Sequence, residues 1–199
     1  KEDIKSYLKY LFDKDNSNRT VSRKISTLKS FYKYLKENDV IKSSPALSIK
    51  YPKADKKLPN FVHYNELESM INATKKDTFY ERDDSIIELM YATGVRVSEL
   101  VNIKLDDIDF ETNSIRILGK GSYMRTVYFG EYARDAIFKY MNGLRIKLLN
   151  GKESEYLFLN KNGNNITTRG IQKIIDKIVS ETEVKTKVSP HTLRHTFAT

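Results

Sequence analysis

Apolar residues recur at intervals of three and four along most of the chain, which is the period of an amphipathic helix. This period predicts helices over residues 2–13, 20–37, 64–74, 83–93, 131–149 and 167–182, with a short helix or turn after Ser44. The helix at 20–37 has the predicted apolar stripe Val21, Ile25, Leu28, Phe31, Tyr32 and Leu35. Gly94 is expected to stop the helix at 83–93.

One stretch in the middle of the chain departs from the helical period. Short apolar segments separated by turn residues predict strands at 107–110, 114–118 and 124–129, with turns at 111–113 and 119–122. Another short strand is predicted at 156–159. The predicted fold class is therefore mainly α with a small antiparallel β-meander, an α+β chain.

A proline-bracketed, charged segment at 51–60 predicts a linker, because Pro52 and Pro59 exclude regular structure there. It separates an N-terminal helical domain at 1–50 from a second domain at 61–199.

The net charge of +9 lies almost wholly in the first 60 residues, which hold 15 Lys and Arg against 7 Asp and Glu. This imbalance indicates a polyanionic partner, although a basic surface kept for solubility fits equally well. The chain has no cysteine, which excludes disulfides and thiolate metal sites. It has no apolar run long enough to span a bilayer and no secretion signal, so we expect no membrane association and a cytoplasmic protein.

The last eleven residues read as the start of a helix that faces an anion. Ser189 can cap the helix, and Pro190 suits its first position. Three side chains fall on one face and could meet a phosphate: His191, Arg194 and His195. Leu193 and Phe197 form a separate apolar pair that is expected to anchor the helix.

Two further residues are candidates for a functional role: Arg96, just after the helix stop at Gly94, and Lys120, at the glycine-flanked tip of a predicted hairpin. Each alone fits a structural role, since such a turn is usually solvated and an arginine usually forms a surface ion pair. The i, i+4 histidines could suggest zinc, but no glutamate lies between them and no cysteine completes a site.

Taken in order, these segments resemble the tyrosine recombinase (phage integrase) family, and within it the Xer-type recombinases. Residues 92–100 resemble its first arginine box, 119–121 its hairpin lysine, and 189–199 its second box. Residues 20–35, 44–46 and 58–59 resemble its helical core-binding (SAM-like) domain and linker. The resemblance therefore covers both predicted domains.

The resemblance implies site-specific exchange of DNA strands without a metal or nucleotide cofactor. A tyrosine attacks the scissile phosphate and leaves a 3′-phosphotyrosyl bond and a free 5′-hydroxyl. In this sequence Arg96 and Arg194 would neutralise the phosphate, Lys120 would give a proton to the leaving oxygen, and His191 would take one from the phenol.

Other roles follow from the same resemblance. Glu99 is expected to hold the geometry of the site, and His195 to act as a structural or supporting residue. The expected partner is double-stranded DNA, bound by a family that works as a tetramer on paired sites, alone or with a related recombinase. The DNA-contacting side chains of the front domain are expected to be Arg23, Lys24, Lys29 and Lys33. Chromosome dimer resolution and integration or excision of a mobile element both remain open.

The nucleophilic tyrosine of the family has no counterpart here. The chain has 13 tyrosines, none after Tyr156 and none in the nucleophile's setting. We therefore expect a fragment trimmed at both ends, which binds duplex DNA and does not cleave it. Two alternatives stay open: a catalytically silent DNA-binding accessory protein of the same fold, and a type IB topoisomerase-like enzyme.

Overall fold

The structure is a computed structural model that describes residues 2–53, 61–75, 77–119, 121 and 123–197. The chain divides into two compact units, one of residues 1–58 and the other of residues 59–199. Most of the predicted linker at 51–60 lies outside the described residues. Within the described residues the secondary structure is nine helices, one 3-10 turn and one small sheet, so the predicted fold class is confirmed.

The first unit is built on two helices, α1 (Glu2–Asp13) and α2 (Asn18–Glu37), followed by a turn near Pro45. The Ser17 hydroxyl caps α2 by accepting from the Thr20 N–H. The small core consists of buried Leu11, Val21 and Ile25, with Leu8 and Ile49 packed against it.

The predicted apolar stripe of α2 is buried only in its first half. Val21 and Ile25 are fully covered, whereas Phe31 is 53% exposed. In the described unit α1 has 12 residues and α2 has 20, so α1 is too short to cover the second half of α2.

The second unit begins with α3 (Tyr64–Thr74), α4 (Tyr80–Thr93) and the short α5 (Val97–Leu100). A 3-10 turn (Leu105–Asp107) leads into the strands β1 (Ile108–Asp109), β2 (Ser114–Leu118) and β3 (Met124–Tyr128). The helices α6 (Glu131–Asn142), α7 (Leu144–Leu149), α8 (Thr168–Ser180) and α9 (Pro190–Phe197) complete it.

The sheet is an antiparallel meander in the order β1-β2-β3, and Ile117 of β2 lies opposite Arg125 of β3. Ile115 and Ile117 of β2 point into the core, which is continuous with the apolar sides of α3, α4, α6 and α8. α4 lies at the centre, packed against α6 on one side and α9 on another. It therefore fixes where α9 sits.

Two predicted elements differ from the structure. The single helix predicted at 131–149 breaks at Gly143, because the Leu144 N–H donates to Glu81 Oε2 at 2.6 Å and begins a new helix. The strand predicted at 156–159 is replaced by isolated bridges. The guanidinium of buried Arg145 donates to the carbonyl oxygens of Ser154, Tyr156 and Leu157, so these groups are satisfied without a neighbouring strand.

α4 begins three residues earlier than predicted. Its first turn contains a buried ion pair, in which Arg82 Nε lies 2.7 Å from Asp83 Oδ1. The Arg82 guanidinium also lies over the Phe79 ring, 4.7 Å from its centroid. Charged residues that are buried against one another do not contribute to an apolar period, which explains the missed turn.

Candidate active site

Arg96 and Glu99 are joined by the way α5 begins. Arg96 stands just before the first turn, and the Glu99 carboxylate reaches back to accept its main-chain N–H at 2.8 Å. The Arg96 side chain donates from Nη1 to Glu99 Oε1, also at 2.8 Å. Glu99 is 5% exposed and Arg96 is 50% exposed, so a buried carboxylate holds an arginine that faces solvent.

Arg194 reaches the same carboxylate from α9. Ser189 caps this helix, as predicted, by accepting from the Thr192 N–H at 3.2 Å. Arg194 Nη1 lies 3.9 Å from Glu99 Oε2 and donates to the Gly94 carbonyl oxygen at 2.6 Å. The structure thus places Arg96 and Arg194 on either side of one acidic side chain.

The anchoring of α9 differs from the prediction. Leu193 is completely buried, but Phe197 is 55% exposed and does not share in the core. Thr196 contributes instead, since its hydroxyl accepts from the Val62 N–H at 2.9 Å. One buried leucine and polar contacts hold the helix in place of the expected apolar pair.

Arg125 is a site residue that the sequence reasoning missed. It donates two parallel hydrogen bonds to Glu99, from Nη1 to Oε1 at 2.9 Å and from Nη2 to Oε2 at 2.8 Å. The period-two alternation of β3 puts Arg125 on the inward face together with Val127. An arginine at an inward strand position was the signal that could have identified it.

These contacts decide the charge of Glu99. Burial acts to raise its pKa, but the hydrogen bonds from Arg125 and Arg96 outweigh burial and lower the pKa to about 2. The same pairing raises the pKa of Arg125. Glu99 is therefore a carboxylate with three guanidiniums around it, and the cluster carries a net positive charge.

The positive cluster opens onto a cavity of about 420 Å³ between α4, β3 and α9. Its walls include the side chains of Arg125, Arg194 and Phe197. Both terminal nitrogens of Arg125 are taken by Glu99, so Arg194 is the arginine of this cavity that suits a phosphate group, whose oxygens accept hydrogen bonds from a guanidinium.

The remaining predicted site residues are two histidines of α9 and one lysine. His191 is exposed on α9, one turn before Arg194, and His195 is exposed on the same helix. Lys120 lies outside the described residues. The described part of the chain contains no cluster of His, Cys, Asp or Glu able to hold a metal ion.

The cationic residues predicted to meet DNA belong to α2 in the first unit. They are Arg23, Lys24, Lys29 and Lys33. Lys24 Nζ donates to the Tyr7 hydroxyl at 3.3 Å, and Lys29 Nζ lies 4.6 Å from the Tyr51 ring centroid. Lys33 forms an exposed ion pair with Glu37, one turn further along the helix, and Arg23 is exposed. No described helix is both long and apolar enough to cross a membrane.

Comparison with known proteins gives this geometry a context. Residues 60–199 match the model of the phage integrase family, and residues 1–39 match that of the phage integrase N-terminal SAM-like domain. The chain belongs to the phage integrase family. The matched segments contain Arg96, Glu99, Arg125 and Arg194.

A curated relative supports the Xer type within this family. The tyrosine recombinase XerC of Staphylococcus aureus (strain JH9) is 43% identical over 198 residues. The match covers 99% of this chain and 66% of the relative, so the chain spans about two thirds of that protein's length.

Solved structures agree on the fold. The crystal structure of XerA recombinase matches with a TM-score of 0.64 and 28% identity, over 100% of this chain and 67% of that one. The Tn1549 transposon integrase in complex with transposon right end DNA matches with a TM-score of 0.77 and 21% identity, over 98% and 70%. The mainly helical fold with a small antiparallel sheet is thus that of the recombinases and integrases.

Proposed function

We propose that this protein takes part in site-specific DNA recombination by tyrosine-mediated transesterification. The observation that carries the proposal is the convergence of Arg96 and Arg194 on Glu99, within 2.8 Å and 3.9 Å of its oxygens. Two permanently charged groups, of which Arg194 lines an open cavity, suit a phosphodiester that gains negative charge during substitution.

The reaction is a displacement at phosphorus. A tyrosine oxygen bonds to the phosphorus atom, and the bond to the 5′-oxygen breaks. Arg96 and Arg194 stabilise the non-bridging oxygens, His191 takes the phenol proton, and Lys120 supplies a proton to the departing 5′-oxygen. A free 5′-hydroxyl of the partner strand then reverses the step, so no cofactor is needed.

The proposed partner is double-stranded DNA. The Tn1549 integrase was solved with transposon DNA bound, which supports the same class of ligand for this chain. The net charge of +9 is consistent with contacts to phosphates. We extend the proposal to a tetramer on two paired DNA sites in the cytoplasm, the arrangement in which strands can be exchanged.

Covalent trapping on a nicked duplex tests the chemistry. The product of the complete gene is incubated with a nicked suicide substrate and separated by denaturing electrophoresis. A covalent protein–DNA band is expected, and Arg96→Ala or Arg194→Ala should weaken it by roughly a hundredfold or more, the scale for a lost transition-state donor. A complete gene product that binds DNA but gives no band would contradict the proposal.

The 199-residue chain serves as a second arm of the same test. It is expected to bind duplex DNA and to give no covalent band. A band from this chain would identify one of its 13 tyrosines as a nucleophile and would overturn that expectation. Recombination between two sites, compared with relaxation of supercoils by a single molecule, distinguishes a recombinase from a topoisomerase.

A further inference from the structure

Arg125 makes the most complete contact with Glu99 of any side chain described. Its two terminal nitrogens meet the two carboxylate oxygens at 2.9 and 2.8 Å, the parallel fork that arginine forms best with a carboxylate. Arg125 is 34% exposed and Glu99 is 5% exposed, so the pair is partly shielded from water. Such a pair has a defined geometry, unlike a solvated surface ion pair.

The fork changes what Glu99 can do to the other two arginines. Each Glu99 oxygen accepts one hydrogen bond from Arg125 and one from Arg96. Arg194 remains at 3.9 Å, beyond hydrogen-bond distance. Without the fork, a buried carboxylate would lack half of these donors and would attract Arg194 more strongly. Arg125 therefore leaves the nitrogens of Arg194 other than Nη1, which donates to the Gly94 carbonyl oxygen, available for an anion.

Arg125 also ties the carboxylate to the hairpin. Arg125 lies opposite Ile117 of β2, and the N–H of Gly119, the residue after β2, donates to the Tyr123 carbonyl oxygen at 2.8 Å. A Cβ atom at Gly119 would lie 3.2 Å from Arg125 Nη1, closer than side chains normally approach. Gly119 thus lies close against the guanidinium that holds Glu99.

We infer that Arg125 is a positioning residue of the candidate site: it saturates Glu99, fixes Arg96 through that carboxylate, and keeps Arg194 free to bind a phosphate oxygen. The inference rests on the proposed function, because it concerns the anion that the same site would hold. Arg125 itself acts through Glu99 and need not touch the reacting atoms.

Inorganic phosphate is the probe that tests positioning without any cleavage. Its affinity for the 199-residue chain is measured by calorimetry for the wild type, Arg125→Gln and Arg125→Lys. We expect both variants to bind phosphate roughly tenfold more weakly, a loss of about 1.4 kcal/mol. Lysine keeps the positive charge but cannot form the two parallel hydrogen bonds. If the two variants lose equal phosphate affinity, the loss comes from the missing fork and not from the missing charge.

Arg116→Gln provides the matched control. Arg116 lies on the neighbouring strand, and its Nη2 donates to the Asp106 carbonyl oxygen at 2.7 Å instead of to Glu99. This variant should keep the phosphate affinity of the wild type. The inference would be overturned if a folded Arg125→Gln chain bound phosphate as tightly as the wild type. It would also be overturned if Arg125→Lys kept the wild-type affinity while Arg125→Gln lost it.

Cleavage by the complete gene product gives an independent readout. Arg125→Gln should slow covalent-complex formation by roughly a hundredfold, the scale expected when a reacting group is displaced by about 1 Å. Arg125→Ala should regain part of that rate in millimolar guanidinium, which a purely structural role would not allow. If the wild type shows no cleavage but the phosphate results hold, the recombination proposal fails and the positioning of the anion site stands.

Discussion

The guanidinium of Arg194 donates a hydrogen bond from Nη1 to the Gly94 carbonyl oxygen at 2.6 Å, across 100 positions of sequence. Gly94 ends α4 in the left-handed conformation, with φ of 58°. Carbonyl groups at a helix C-terminus attract cations, so the end of α4 directs a side chain of α9. One site arginine therefore depends on the backbone at the end of another helix.

Replacing Gly94 by alanine should destabilise the protein. A residue with a Cβ is strained at this φ, and the added atom would lie 2.5 Å from Cδ1 of Phe197. Together these effects should lower the free energy of unfolding by roughly 2 kcal/mol or more. Urea denaturation measures the change.

Gly121→Ala is the matched control for this prediction. Gly121 has a φ of 77° and no heavy atom within 4 Å of an added Cβ, so only the backbone strain applies. Its cost should be roughly 1 kcal/mol. Equal losses at the two glycines would contradict the close contact between Gly94 and Phe197.

The two apolar residues of α9 should differ sharply in their effect on stability. Leu193 is fully buried, so Leu193→Ala should cost about 3 kcal/mol through lost burial and a cavity. Phe197 is 55% exposed, and Phe197→Ala should cost less than about 1 kcal/mol. Urea unfolding of both variants checks the order, and a larger loss at Phe197 would restore the anchoring pair that the sequence suggested.

The parts of the fold that were predictable from sequence are those set by nearby residues. Gly94 stops α4 and Ser189 caps α9 because each acts on backbone groups within one turn. The break at Gly143 depends on Glu81, 63 positions from Leu144, and the missing strand at 156–159 depends on Arg145, whose partners lie 9 to 12 positions further along, beyond the reach of a helical or strand period. No local pattern reveals such contacts.

The candidate site also contains residues that the sequence identifies and one that only the fold identifies. Arg96, Glu99 and Arg194 belong to segments whose residue order resembles a known family, so they could be named in advance. Arg125 contributes through a fold-dependent contact, since the register of β3 against β2 brings it to Glu99, 26 positions away. A strand pattern can place its side chain inward but cannot name the partner.

Acid should remove the stabilisation that Glu99 provides. Its pKa is about 2 in the folded protein against an ordinary value of 4.5, so the contribution is complete above about pH 4.5 and disappears as the pH falls through 2. The difference corresponds to about 3 kcal/mol. Glu99→Gln should therefore be destabilised most at neutral pH, with the gap to the wild type closing below pH 4.5.

Urea unfolding between pH 2.5 and 7 measures that gap. Glu68→Gln is a suitable comparison, because Glu68 is an exposed glutamate of α3. The free energy of unfolding of the Glu68→Gln variant should stay within about 0.5 kcal/mol of the wild-type value at every pH. A Glu99→Gln curve parallel to the wild type across this range would show that the arginine cluster does not stabilise the ionised carboxylate.

Salt should weaken DNA binding in a way that reports on Arg23. Its guanidinium is exposed on α2, and a phosphate contact there would release about one counterion. Arg23→Gln should reduce the slope of log affinity against log salt concentration by about 0.9, whereas Arg23→Lys keeps the charge and should keep the slope. Fluorescence anisotropy with a labelled duplex from low to moderate salt measures both. An unchanged slope in Arg23→Gln would exclude Arg23 from the phosphate contacts, because a neutral side chain cannot displace a cation from DNA.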